Sequence, residues 1–145
     1  MTILELERSL PNGFHDAHIH RLSVDYVNRE AAITFDVLVG IPEGKNEFER
    51  EAYRKCLLKL TGLEYFIIDP PDPTYQFNKP ATLWVDASPL ETAKLKSSVK
   101  LPSLQAQNAF AYLFFVQDWN SSLYVAATDA SLEWLAEPFN PTGHR

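Results

Sequence analysis

A single cysteine, Cys56, stands among the 145 residues, so no intrachain disulfide can form. A lone thiol fits a reducing compartment, and the expectation is a cytoplasmic protein. Positive charge is in deficit: 13 Lys and Arg face 19 Asp and Glu, for a net charge of −6. Nucleic acid binders need surplus cations to displace counterions from phosphates, so DNA and RNA are excluded as main partners. Long apolar runs are missing as well. The longest aromatic-aliphatic run, Ala109 to Val116, is the length of a strand, far short of the ~20 residues of a membrane helix. Met1 to Arg8 has neither a basic start nor an apolar run, so no secretory signal is expected there. Histidine is scarce, with four in all.

What is present is a core. Apolar residues make up 46% of the chain, enough for one domain over residues 1–145 without metal or disulfide staples. Ten prolines and five glycines are scattered as punctuation, without repeats or low-complexity segments. The proline-dense stretch Asp69-Pro70-Pro71-Asp72-Pro73 reads as an extended loop, because fixed φ angles and missing N–H groups forbid a paired strand.

Alternation of apolar and polar residues predicts strands near 17–27, 31–39, 54–60, 63–68, 109–117 and 122–127, with a short one at 82–86. Asn28-Arg29 is read as a two-residue turn. Paired positions then sum to 57, so Arg21 faces Asp36 on a polar side and Leu22 faces Phe35 on an apolar side. The same register sets His18 against Val39 and His20 against Val37. Asn46 with Glu49 predicts a capped short helix, and Ser88-Pro89-Leu90-Glu91 predicts one or two helical turns. Leu95 to Leu101 reads as strand or loop, and Ala130 to Ala136 as a last helical turn. The fold expected is mainly β (α+β): an antiparallel sheet or sandwich with one or two short helices.

The segment His15-Asp16-Ala17-His18-Ile19-His20 carries the most chemistry. Two histidines two apart in a strand can reach one Zn²⁺. Asp16-x-His18-x-His20 resembles the first metal-binding strand of amidohydrolases, and that resemblance implies a small metal-dependent hydrolase. Against it, amidohydrolases are barrels of ~250 residues that draw further histidines from other strands, and the fourth histidine here is His144 in the tail. The apolar register also turns both imidazoles toward a hydrophobic face. The expectation is therefore no metal and no cofactor.

Gly40-Ile41-Pro42-Glu43-Gly44-Lys45 has the wrong spacing for a phosphate loop and lacks its Ser or Thr. Cys56 has no matching histidine motif and reads as a small core residue. Trp119 sits at a turn between two strands, where packing does not require it, and is expected to be exposed. With Tyr75, Asp69 and Asp72 of the proline loop it forms the candidate binding surface, since Trp and Tyr anchor interfaces.

The opening Leu10-Pro11-Asn12-Gly13-Phe14-His15-Asp16-Ala17, running into a strand and turn, resembles small bacterial β-rich proteins, including immunity-type proteins that neutralise a toxin. The resemblance covers about the first 40 residues. It implies a binding protein with no catalytic residues and another protein as partner. The function expected is binding or interaction. The alternatives are the metal hydrolase and a β protein that holds a small ligand in an aromatic pocket.

Overall fold

A computed structural model describes residues 1–77, 82–90 and 100–141. Eight antiparallel strands form one sheet: β1 (Ala17–Asp25), β2 (Glu30–Leu38), β3 (Tyr53–Thr61), β4 (Tyr65–Ile68), β5 (Leu83–Pro89), β6 (Phe110–Val116), β7 (Ser121–Ala127) and β8 (Asp129–Trp134). Two short helices accompany them, α1 (Ile3–Ser9) and α2 (Glu47–Glu51). The expected mainly-β fold is the one observed, realised as a curved sheet and not as two stacked sheets.

The strand order is β4-β7-β6-β5-β1-β2-β3-β8. Its two ends are joined through the chain. β3 runs into β4 past Gly62, and β7 runs into β8 past Thr128. At this corner Thr128 N–H donates to Thr61 O at 3.1 Å, and Glu64 N–H donates to Ala126 O at 2.8 Å. The sheet therefore curls around its inner face. That face gathers Ile33, Phe35 and Val37 from β2, Leu58 and Leu60 from β3, Val85 from β5, and Tyr112, Phe114 and Val116 from β6. Helix α1 adds Ile3 and Leu6 to the same core. Its start carries a capping box between Thr2 and Glu5, a Thr-x-x-Glu signal that a reading for strands passes over.

β6 is covered on both faces, as its doubly apolar sequence predicts. Leu113 packs outward with Tyr65, Tyr124 and Ala126 in a second cluster, against Leu90 and Leu101.

Several expectations are corrected. The first hairpin pairs Leu22 with Ile33 and Arg21 with Thr34, so positions sum to 55, not 57. The loop is four residues, Tyr26 to Arg29. Arg29, not Asn28, takes the left-handed conformation (φ 53°), while Asn28 bonds Asp25 through its N–H and its side-chain amide. A slip of two preserves which face each residue occupies, so Leu22 and Val24 still share a side with Ile33 and Ala31. Nearer the start of β1 the register shifts again between Ile19 and Arg21. His20 is the extra residue of a β-bulge, and a bulge reverses the alternation beyond it. Ala17 and Ile19 thus turn inward and are buried. His18 pairs with Asp36 on the outer face, not with Val39 on the apolar one.

Residues 129–134 form β8 and not a helical turn, because they complete the edge beside β3. Ser88 and Pro89 belong to β5, paired with Leu113 and Tyr112. The helical turns expected from Glu91 onward, and the reading of 95–99 within Leu95 to Leu101, lie outside the described residues. Among the described residues no helix is long and apolar enough to cross a membrane.

Candidate functional site

Two neighbouring features on the outer face concentrate the polar chemistry. The first is built by the turn that leads into β1. Asn12 anchors it, donating through Nδ2 to Leu38 O and Gly40 O, both at 2.9 Å. Asp16 takes φ 55°, a left-handed conformation that Asp tolerates better than most residues, and its carboxylate faces β5. There Trp84 Nε1–H donates to Asp16 Oδ1 at 3.0 Å, and Trp84 N–H donates to Asp118 Oδ2 at 2.7 Å. Asp86, two residues on and on the same face, lies 3.0 Å from His15 Nδ1 and accepts from Gln117 Nε2 at 2.6 Å. The other ring nitrogen of His15 is 3.3 Å from Asp16.

Trp84 is 41% exposed yet held at both its indole and its backbone. The carboxylates of Asp16, Asp86 and Asp118 surround it. Among the described residues no Lys or Arg pairs with these three acids.

The second feature is a cleft of about 550 Å³ lined by His18, Asp36, Arg50, Glu51, Tyr53 and Phe139, among others. His18 is paired in register with both Trp84 of β5 and Asp36 of β2, so the cleft adjoins the Trp84 surface. A two-way backbone bridge between Tyr53 and Phe139, 2.7 Å in each direction, forms one wall. The His18 ring meets the Tyr53 ring edge-on at 5.6 Å, and its Nδ1 is 3.2 Å from Thr82 Oγ1. Burial lowers the His18 pKa, with His20 adding to the effect and Asp36, Asp118 and Asp16 opposing it. Burial also raises the Tyr53 pKa, reinforced by Asp16, Asp36 and Glu51. Asp36 Oδ2 lies 2.6 Å from His20 Nε2, while Asp36 Oδ1 is buried without a hydrogen-bond partner.

The amidohydrolase-like triplet does not converge. Asp16 turns to Trp84 and His15, His18 to Thr82, and His20 to Asp36. Among the described residues, the group whose ligand atoms lie within 4.8 Å of one another is His15, Asp16 and Asp86. Each member is already engaged: His15 joins both acids, Asp16 holds Trp84 and Asp86 holds Gln117.

The residues expected to form a binding surface do come together. Asp72 N–H donates to Trp119 O at 2.8 Å, and the Tyr75 and Trp119 rings meet edge-on at 6.3 Å. The exposure of Trp119 differs from expectation. Trp119 is half-buried against the main core, with Nε1 buried and unpaired. It packs here because the proline loop folds over the turn of β6 and β7. Asp69 accepts from the Tyr124 hydroxyl at 2.9 Å, and Asp72 accepts from both Thr74 N–H and Thr74 Oγ1. These acids pin the loop. The exposed aromatic there is Phe77, at 74%.

Sequence reasoning passed over Trp84, although an aromatic in a short strand one place before Val85 carries an alternation signal. Asp118 could not be found that way, since it reaches Trp84 across 34 positions. No family model, no curated protein and no solved structure matches this chain.

Proposed function

We propose that this protein acts by binding a basic protein partner through the outer face around Trp84. The observation that carries this reading is the exposed Trp84 side chain, fixed by Asp16 and Asp118 and bordered by carboxylates that no Lys or Arg among the described residues pairs with. A Trp held rigid before binding loses little entropy on contact and anchors an interface well. Surrounding acids steer a basic surface toward it and select against acidic ones, in keeping with the net charge of −6.

The immunity-type form of the reading makes the partner a toxin, and a neighbouring gene product is the first one to purify. Binding is measured by calorimetry between the two purified chains. Trp84→Ala is expected to weaken it at least tenfold, and the wild-type affinity to fall with added salt. Tyr26→Ala, at an exposed position on the β1–β2 loop, serves as the comparison. Equal affinity for wild type and a folded Trp84→Ala variant overturns the reading. So does metal-dependent hydrolysis that disappears in a folded His20→Ala variant.

A further inference from the structure

We infer that the cleft at Asp36 is a recognition pocket for a single alkylammonium or guanidinium group. Resting on the binding reading above, we assign that group to a Lys or Arg side chain of the partner. The carboxylate of Asp36 is short of one donor. Its Oδ2 is paired with His20 at 2.6 Å, while Oδ1 is buried and has no partner among the described residues. Buried carboxylate oxygens are normally satisfied, and this orphaned one lies beneath the surface of a cleft that Asp36 itself lines. A small rotation of the carboxylate would present Oδ1 to a donor brought into the cleft.

The rest of the lining narrows the donor's chemistry. Glu51 adds a second negative group. Tyr53 and Phe139 add aromatic rings to the lining, which favours a cation over a neutral amide. His18, whose charged form burial disfavours, does not add a competing positive charge at neutral pH. Arg50 also lines the cleft, with Nη1 donating to Gly44 O at 3.1 Å. Lys55 is the register partner of Asp36 on β3. These two cations offset the charges of Asp36 and Glu51 and select against a ligand carrying several positive charges. The register of β5, β1 and β2 places Trp84, His18 and Asp36 in one row. A partner seated on Trp84 can therefore extend a side chain into the cleft.

The probes are N-acetyl-lysine methylamide, N-acetyl-arginine methylamide and the neutral N-acetyl-norleucine methylamide, titrated into the full chain and followed by NMR. Millimolar binding of a cationic probe, with shifts centred on His18, Tyr53 and Phe139 and absent for norleucine, supports the assignment to a partner side chain. Retention of free agmatine at micromolar concentration overturns that assignment in favour of a free amine, with the pocket chemistry intact. Asp36→Asn keeps the shape of the side chain and removes its charge, and affinity should fall at least tenfold. Glu51→Gln, at an exposed position, should lower it two- to fivefold without touching the His20 contact.

Equal binding of norleucine, no shifts at the cleft, or unchanged affinity in a folded Asp36→Asn variant overturns the inference. The two readings fail separately. Probes that bind while Trp84→Ala leaves the partner's affinity unchanged overturn only the docking face. Loss of partner binding in Trp84→Ala with no probe in the cleft overturns only the pocket.

Discussion

The rings of Phe35 and Phe114 lie 5.6 Å apart, although β1 and β5 stand between their strands in the sheet. In a flat sheet three strand spacings would separate them by about 14 Å. The sheet must therefore curl, and Phe14 completes the contact at 5.1 Å from Phe35 and 5.8 Å from Phe114. One aromatic group thus ties β2, β6 and the turn before β1 together. That turn aims Asp16 at Trp84, so the core contact and the outer surface share a support.

Phe114→Ala should cost about 3–5 kcal/mol, the usual range for emptying a large aromatic site in a closed core. Urea unfolding of wild type and variant measures it. A loss under about 1 kcal/mol would show that the inner face is not packed as described.

Gly62 marks the corner between β3 and β4, with φ 62°, and a Cβ there would lie 1.9 Å from Thr128 Oγ1. Gly62→Ala combines left-handed strain with that clash and should destabilise the protein by about 1–3 kcal/mol. Thermal melting of Gly62→Ala beside Gly62→Ala/Thr128→Ala separates the causes. Relief in the double variant identifies the clash, and what persists is backbone strain.

The pH dependence follows from His18. Burial, the largest cause, holds its folded pKa below the ordinary 6.5. The unfolded chain therefore binds its proton at a higher pH than the folded one. Between the two values stability rises with pH, and it is lost as pH falls through about 6.5. The urea midpoint should be lower at pH 5.5 than at pH 7.5, and His18→Gln should shrink that difference. An unchanged difference in the variant would place the sensitivity elsewhere.

Cys56 is fully buried, and burial pushes its thiol up to about 12. Since the thiolate is the reacting form, a disulfide reagent such as DTNB should leave the folded protein unlabelled for hours. Stoichiometric labelling is expected once urea unfolds the chain. Rapid labelling of the native protein would contradict the packing of Phe35 opposite Cys56.

The alternation of Ala31, Ile33, Phe35 and Val37 was legible in the chain, because facing inward or outward along one strand is a local property with period two. Cys56 as a core residue, and β6 as a strand covered on both sides, were legible for the same reason. Pairing is not local. A two-residue turn and a four-residue turn leave the faces of the first hairpin identical, so the pattern could not choose between Leu22 opposite Phe35 and Leu22 opposite Ile33. The bulge at His20 left no mark in composition, yet it decides whether His18 meets the core or the outer cleft. Trp119 stands at a turn, and only the proline loop folded over that turn half-buries it. The contacts that make the outer surface join His15 to Asp86 and Trp84 to Asp118, residues far apart in the chain. Only the pairing of β5 with β1 on one side and β6 on the other brings such residues together, because hydrogen bonds and charge act through space and alternation acts along the strand.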